Sequence, residues 1–178
     1  LFTEQVFHHM REKAMLRIMG PLGTFFLRED LERPAILIGG GTGFAPLKSM
    51  LESAFRTGHT RPLHLFWGVR AKRDLYLDEL PLQWLREHDN FSYTPVLSEP
   101  RDEDDWSGDT GFVTDSVIRQ YPELSAFDIY MSGPPVMVEA GHTLFMPHGL
   151  DTSRFFSDAF EYAAVTESIK GIRGYEEQ

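Results

Sequence analysis

The sequence predicts an α/β fold built as a doubly wound parallel sheet. Three observations predict it. From Ala35 onward, short apolar runs alternate with stretches of helical periodicity. The first run, Ala35-Ile36-Leu37-Ile38, is wholly apolar, as strands buried on both faces of a parallel sheet are. A glycine turn over 39–43 then leads straight into a helix. Strands alternating with helices imply right-handed crossovers and parallel pairing.

The elements follow in order. Thr3 to Glu12 carries Val6, Phe7 and Met10 at helical spacing, with Thr3 placed to cap the helix and Glu4 favourable in its first turn. Met15 to Met19 reads as a strand, Gly20-Pro21-Leu22-Gly23 as a turn, and Phe25 to Leu27 as a short strand. The polar connector Arg28 to Arg33 closes at Pro34, where a domain boundary is expected. Beyond it, strands are expected at 35–38, 63–68, 91–97, 127–131 and 154–157. Helices are expected at 45–55, 78–88 and 114–121, and from the Pro134-Pro135 turn to Phe145. The expected division is therefore 1–33, ahead of the boundary; 34–166, the α/β domain; and 167–178, a polar tail expected to fray.

Composition narrows the chemistry. The chain has 178 residues and is 42% hydrophobic, enough apolar mass for a core. It has no cysteine, which excludes disulfides, thiolate-held iron–sulfur clusters and cysteine nucleophiles within it. The formal net charge of -10 argues against general binding to a phosphate backbone, so no nucleic-acid partner is expected. The acidic run Asp102-Glu103-Asp104-Asp105 reads as a solvated loop. No stretch of 18 apolar residues is present, so no membrane-spanning helix is expected, and a cytoplasmic location is. The first residues show neither a signal segment nor an initiating Met, which suggests a piece of something longer. The seven His form no metal-ligand spacing, so no metal site is expected.

The glycine segment Gly39-Gly40-Gly41-Thr42-Gly43-Phe44-Ala45-Pro46 carries the chemistry. After a buried strand the backbone must turn sharply and present N–H groups to an anion. Glycine permits positive φ angles and close approach. The helix that follows adds its unpaired N–H groups and its dipole. Pro46 suits a first helical turn, where its missing donor costs nothing. The spacing is not G-x-G-x-x-G: counted from Gly39 the third glycine falls on Phe44, and from Gly41 on Pro46. No Gly-Lys-Ser/Thr follows either, which excludes a P-loop.

This segment resembles the nucleotide loop of the ferredoxin–NADP reductase superfamily, and four further segments resemble that family in the same order. They are Gly20 to Gly23; Trp67-Gly68-Val69-Arg70 with Asp74-Leu75-Tyr76 and Asp78-Glu79-Leu80; Gly111-Phe112-Val113; and Met131-Ser132-Gly133-Pro134-Pro135-Val136-Met137. The subgroup it resembles most is the oxygenase-reductase branch that includes the CDP-6-deoxy-glucoseen reductases, a likeness that Phe156 to Glu161 supports.

The resemblance implies a role for each matching residue. Gly40, Gly41, Thr42 and Gly43, with Pro46 behind them, would hold a pyrophosphate and the nicotinamide ribose. Arg70 would lie near the adenosine ribose, and Tyr76 would flank adenine or simply pack. Ser132, Gly133, Pro134 and Met137 would form the nicotinamide loop. Serine stands at 132 where the family commonly has cysteine, so hydride transfer is expected to be slower than in cysteine members. Phe160 would cover a flavin ring, or else pack in the core beside Phe155 and Phe156. Thr3 would be the last residue of a loop gripping the FAD pyrophosphate, 1–33 the C-terminal remnant of a β-barrel FAD-binding domain, and 34–166 the NAD(P)-binding domain.

The implied cofactors are NAD(P)H, with NADH favoured, and FAD. The implied partner is an iron–sulfur domain, or a ferredoxin or oxygenase acceptor. The implied activity is hydride transfer from NAD(P)H to flavin. The alternative is a nucleotide-binding module without turnover.

Overall fold

The computed structural model describes residues 4–17, 23–28 and 32–158. The core is a six-stranded sheet in the order β4-β3-β2-β1-β5-β6, every neighbouring pair parallel. The strands are β1 Ala35–Gly40, β2 Leu63–Val69, β3 Phe91–Leu97, β4 Asp109–Thr110, β5 Asp128–Ser132 and β6 Phe155–Ser157. The connecting helices are α1 Phe44–Thr57, α2 Glu79–Glu87, α3 Val113–Gln120 and α4 Pro135–Phe145.

Helices cover both faces, which is why the central strands are apolar throughout. On one face Leu47, Leu51 and Ala54 of α1 and Trp84 of α2 pack on Leu37, Leu65, Trp67 and Tyr130. On the other, Val113 and Val117 of α3 and Val138 and Phe145 of α4 pack on Ile36, Ile38, Phe66 and Met131. All six residues of β1 are buried, as expected for the central strand of such a sheet.

Asp128 and His64 are among the polar groups buried within this frame. Asp128, fully buried at the start of β5, is held by Arg61 at 3.3 Å and Arg154 at 2.8 Å. His64 on β2 lies between the Tyr121 hydroxyl at 2.8 Å and the Thr94 hydroxyl at 2.9 Å. Burial lowers its pKa to about 4, so the ring is neutral at physiological pH.

The expectations from residue 35 onward hold to within one or two residues, and β3 holds at both ends. The expected strand at 127–131 is β5 at Asp128–Ser132, so Ser132 closes the strand. β4 has only two residues and no pattern announces it.

Before Pro34 the reading needs correction. The expected helix is one short turn, Gln5–His9, with no buried residue and Glu4 as its first cap. The expected strand at Met15 is not formed over its described part: Met15 is 98% exposed and Leu16 half exposed. Strand propensity stands for packing against neighbouring strands, and this run has none among the described residues. Phe25 to Leu27 is not a strand either. Leu27 is buried against the core, and the Arg28 N–H donates to the Tyr130 hydroxyl at 3.0 Å. Thr3, Gly20 to Leu22, Phe160 and the tail lie outside the described residues.

Candidate nucleotide-binding site

Strand order places the site. β1 continues through α1 to β2 on one side, whereas β5 lies on its other side and leads out to β6. Between β1 and β5 the connections diverge, and ligands of open α/β sheets bind at the carboxyl ends of the strands at such a point. Gly39 and Ser132 are register partners there, so the glycine loop and the Ser132-Gly133-Pro134 loop leave the sheet side by side.

The two loops are in van der Waals contact, and glycine makes that possible. A Cβ added at Gly133 would come within 3.3 Å of the Gly40 backbone and 2.8 Å of Met137 Cε. One added at Gly40 would collide with Met137 Sδ, and one at Gly43 with the Ser132 carbonyl. These glycines serve the packing of loop on loop.

Gly41 is different. Its φ of +55° needs glycine, and a Cβ there would meet nothing within 4 Å. The crest of the loop therefore stands before open space, with Thr42 exposed beside it. Gly41 to Gly43 form one tight helical turn that runs directly into α1, so the start of α1 and its dipole face the same crevice. Pro46 lies in the first turn of α1, as expected.

Below the loop is an aromatic stack. Phe44 and Trp67 are stacked with centroids 4.1 Å apart, and Trp67 Nε1–H donates to the Gly41 carbonyl at 2.9 Å. Tyr76 meets Trp67 edge-on at 5.1 Å. It is half exposed, and partial burial pushes its phenol up, so it stays protonated. Arg70 lies just past β2, largely exposed, its Nε 4.0 Å from Glu99 Oε1.

At the other end, the buried Ser132 hydroxyl donates to Asp158 Oδ2 at 2.7 Å. Asp158 Oδ1 is also buried and has no hydrogen-bond partner among the described residues. Gly133 and Met137 are half-buried and Pro134 is exposed.

The structure thus brings together the Gly40 to Gly43 loop with Ser132, Gly133, Pro134 and Met137; Pro46 lies in the helical turn that follows the loop, Tyr76 packs on Phe44 and Trp67 beneath it, and Arg70 lies past the end of β2 beside Glu99. Thr3 and Phe160 are outside the described residues. Sequence reasoning passed over the indole of Trp67 and the carboxylate of Asp158. Asp158 follows the last strand directly, which was the available signal.

Among the described residues no cluster of His, Asp and Glu has the arrangement of a metal site. No described helix is long and apolar enough to cross a membrane.

Comparison with known proteins agrees with this geometry. The family model for the oxidoreductase NAD-binding domain matches residues 37–143. The CDP-6-deoxy-L-threo-D-glycero-4-hexulose-3-dehydrase reductase of Yersinia pestis is 41% identical over 160 residues, covering 90% of this chain and 47% of that protein. The ferredoxin–NAD(P)(+) reductase component of the naphthalene 1,2-dioxygenase system of Pseudomonas putida is 35% identical over 159 residues, covering 89% and 48%. The crystal structure of the Amycolatopsis cytochrome P450 reductase GcoB superposes with a TM-score of 0.71 at 36% identity, covering 78% of this chain and 42% of that one. The chain spans about half the length of the relatives it matches.

Proposed function

Because the chain belongs to the oxidoreductase NAD-binding domain family, within the ferredoxin–NADP reductase superfamily, we propose that it is the nicotinamide-nucleotide half of a flavin-dependent oxidoreductase. The whole protein moves a hydride from NAD(P)H to FAD. It then passes electrons to an iron–sulfur centre, or to a ferredoxin or oxygenase partner, as the names of the naphthalene dioxygenase and P450 reductases indicate for those proteins. The observation that carries this reading is the meeting of two glycine-bearing loops at the β1/β5 divergence, with Gly41 opening onto free space.

Roles follow from position. Gly40 to Gly43 and the start of α1, with Pro46 in its first turn, hold the pyrophosphate through backbone N–H groups. Tyr76 and Arg70 bound the adenosine end. Ser132, Gly133, Pro134 and Met137 hold the nicotinamide end, where the buried Asp158 Oδ1 accepts a hydrogen bond from an amide-bearing ligand. When bound, the nicotinamide supplies the hydride; these residues orient it and exclude water, and none need act as acid or base. The exposed Arg70 is shared with Glu99, an arrangement that favours NADH over NADPH. Thr3 and Phe160 belong to the flavin side of this reading, by resemblance.

We place the boundary of the preceding flavin domain at Pro34, one residue before β1. This assignment carries with it a cytoplasmic location, where nicotinamide nucleotides are supplied, and no role in binding nucleic acid. The chain covers about half of its relatives, which favours a second reading for the 178 residues alone: nucleotide binding without turnover.

One experiment tests both. The purified chain is mixed with FAD and then NADH, and the visible spectrum is followed, beside a longer polypeptide carrying the upstream half. Bleaching of the flavin by NADH is expected only with the longer polypeptide. Bleaching by the 178-residue chain would contradict the module reading, and no bleaching by either would contradict the oxidoreductase.

A further inference from the structure

The geometry points to Trp67 as the positioning residue of the pyrophosphate loop, an inference that rests on the nucleotide-binding reading above. Trp67 is fully buried on β2, on the opposite side of β1 from the nicotinamide loop, and its side chain lies beneath the glycine turn. Its one polar atom, Nε1–H, donates to the Gly41 carbonyl at 2.9 Å. The same carbonyl accepts the Phe44 N–H at the base of α1, so both of its lone pairs are engaged from below.

A trans peptide is planar, with its C=O and N–H pointing in opposite directions. Drawing the Gly41 carbonyl down toward the buried indole therefore turns the Thr42 N–H up, away from the core and toward the crevice. Gly41 lies in the left-handed region at φ +55°, where glycine samples several alternatives at little cost. The indole selects one of them. Without it the loop loses a fixed orientation for the amide that faces the anion, and binding must then supply the ordering.

The stack makes the anchor rigid. Phe44 lies flat on Trp67 at 4.1 Å, and Tyr76 closes against the indole edge at 5.1 Å. The indole thus joins the adenosine rim, through Tyr76, to the pyrophosphate loop, through Gly41. The inferred function of Trp67 is to preorganise the Thr42 amide for a pyrophosphate, and its packing is the means.

The test separates the N–H from the ring. Trp67 is replaced by β-(3-benzothienyl)alanine, which keeps the bicyclic ring but has no N–H, and by phenylalanine. NADH and ADP-ribose, both pyrophosphates, are titrated against each variant, and thermal unfolding is recorded. The isosteric variant is expected to bind both ligands about five- to tenfold more weakly, the effect of one hydrogen bond, with a thermal midpoint close to wild type. Trp67→Phe is expected to lose at least as much affinity and to unfold earlier.

Unchanged affinity in the isosteric variant would overturn the inference, because only packing would then matter. Failure of the wild-type chain to bind either ligand would overturn the nucleotide-binding reading itself, and this inference with it.

Discussion

The Ser132 hydroxyl donates to Asp158 Oδ2 at 2.7 Å across the carboxyl ends of β5 and β6, and Asp158 Oδ1 is buried without a partner among the described residues. A carboxylate oxygen in that position is an acceptor waiting for a donor. Ser132→Ala removes the one hydrogen bond that the carboxylate has to a described side chain. It is expected to destabilise the chain by about 1–3 kcal/mol, the cost of leaving a buried acceptor unpaired, measured by urea unfolding. Asp158→Asn keeps the shape and puts an amide donor into the pair. In a longer polypeptide with bound FAD, both variants are expected to slow NADH-dependent flavin reduction, read by stopped flow.

Gly40 and Met137 compete for one space. Gly40→Ala drives a methyl into the thioether and is expected to cost about 1–3 kcal/mol, with weaker NADH binding. Shortening the thioether should relieve the clash. Gly40→Ala with Met137→Ala is therefore expected to be more stable than additivity predicts, a coupling that a double-mutant cycle of thermal unfolding measures.

His64 predicts an acid limb of stability. Its folded pKa, lowered to about 4 by burial, lies below the ordinary value of 6.5. The unfolded chain therefore binds the proton first, and stability falls as pH drops from about 6.5 toward 4, by up to about 3 kcal/mol. Above 6.5 this group contributes no pH dependence. His64→Gln, which does not titrate, is expected to flatten that limb when urea unfolding is compared at several pH values between 7.5 and 4.

In the proposed nucleotide site, Arg70 and Glu99 would set the nucleotide preference. Glu99 lies 4.0 Å from the Arg70 guanidinium, and its negative charge would repel a 2′-phosphate held there. Glu99→Gln is expected to raise NADPH affinity several-fold while leaving NADH affinity unchanged, by parallel titrations. Equal gains for both nucleotides would place Glu99 outside this contact.

Much of this was legible in the sequence, for physical reasons. The wholly apolar 35–38 run marks a strand covered on both faces, and β1 is such a strand. The glycines mark a loop whose packing against the Ser132 loop admits no Cβ at 40, 43 or 133. Side-chain partners across the sheet were not legible. Neither Trp67 with Gly41 nor Ser132 with Asp158 is a local pair, and each exists only once parallel strands align. Met15 shows the converse, since its run has strand-like composition but no described neighbour to pack on. Leu27 is buried without any strand, beside the Arg28 N–H that donates to the Tyr130 hydroxyl.

The most direct measurement is an amide NMR titration of the 178-residue chain with NADH. The account predicts that the largest shifts fall on Gly41, Thr42, Gly43 and Gly133, the amides of the two facing loops at the β1/β5 divergence. Saturating shifts confined to other surfaces, or none at NADH concentrations that saturate relatives of this family, would contradict it.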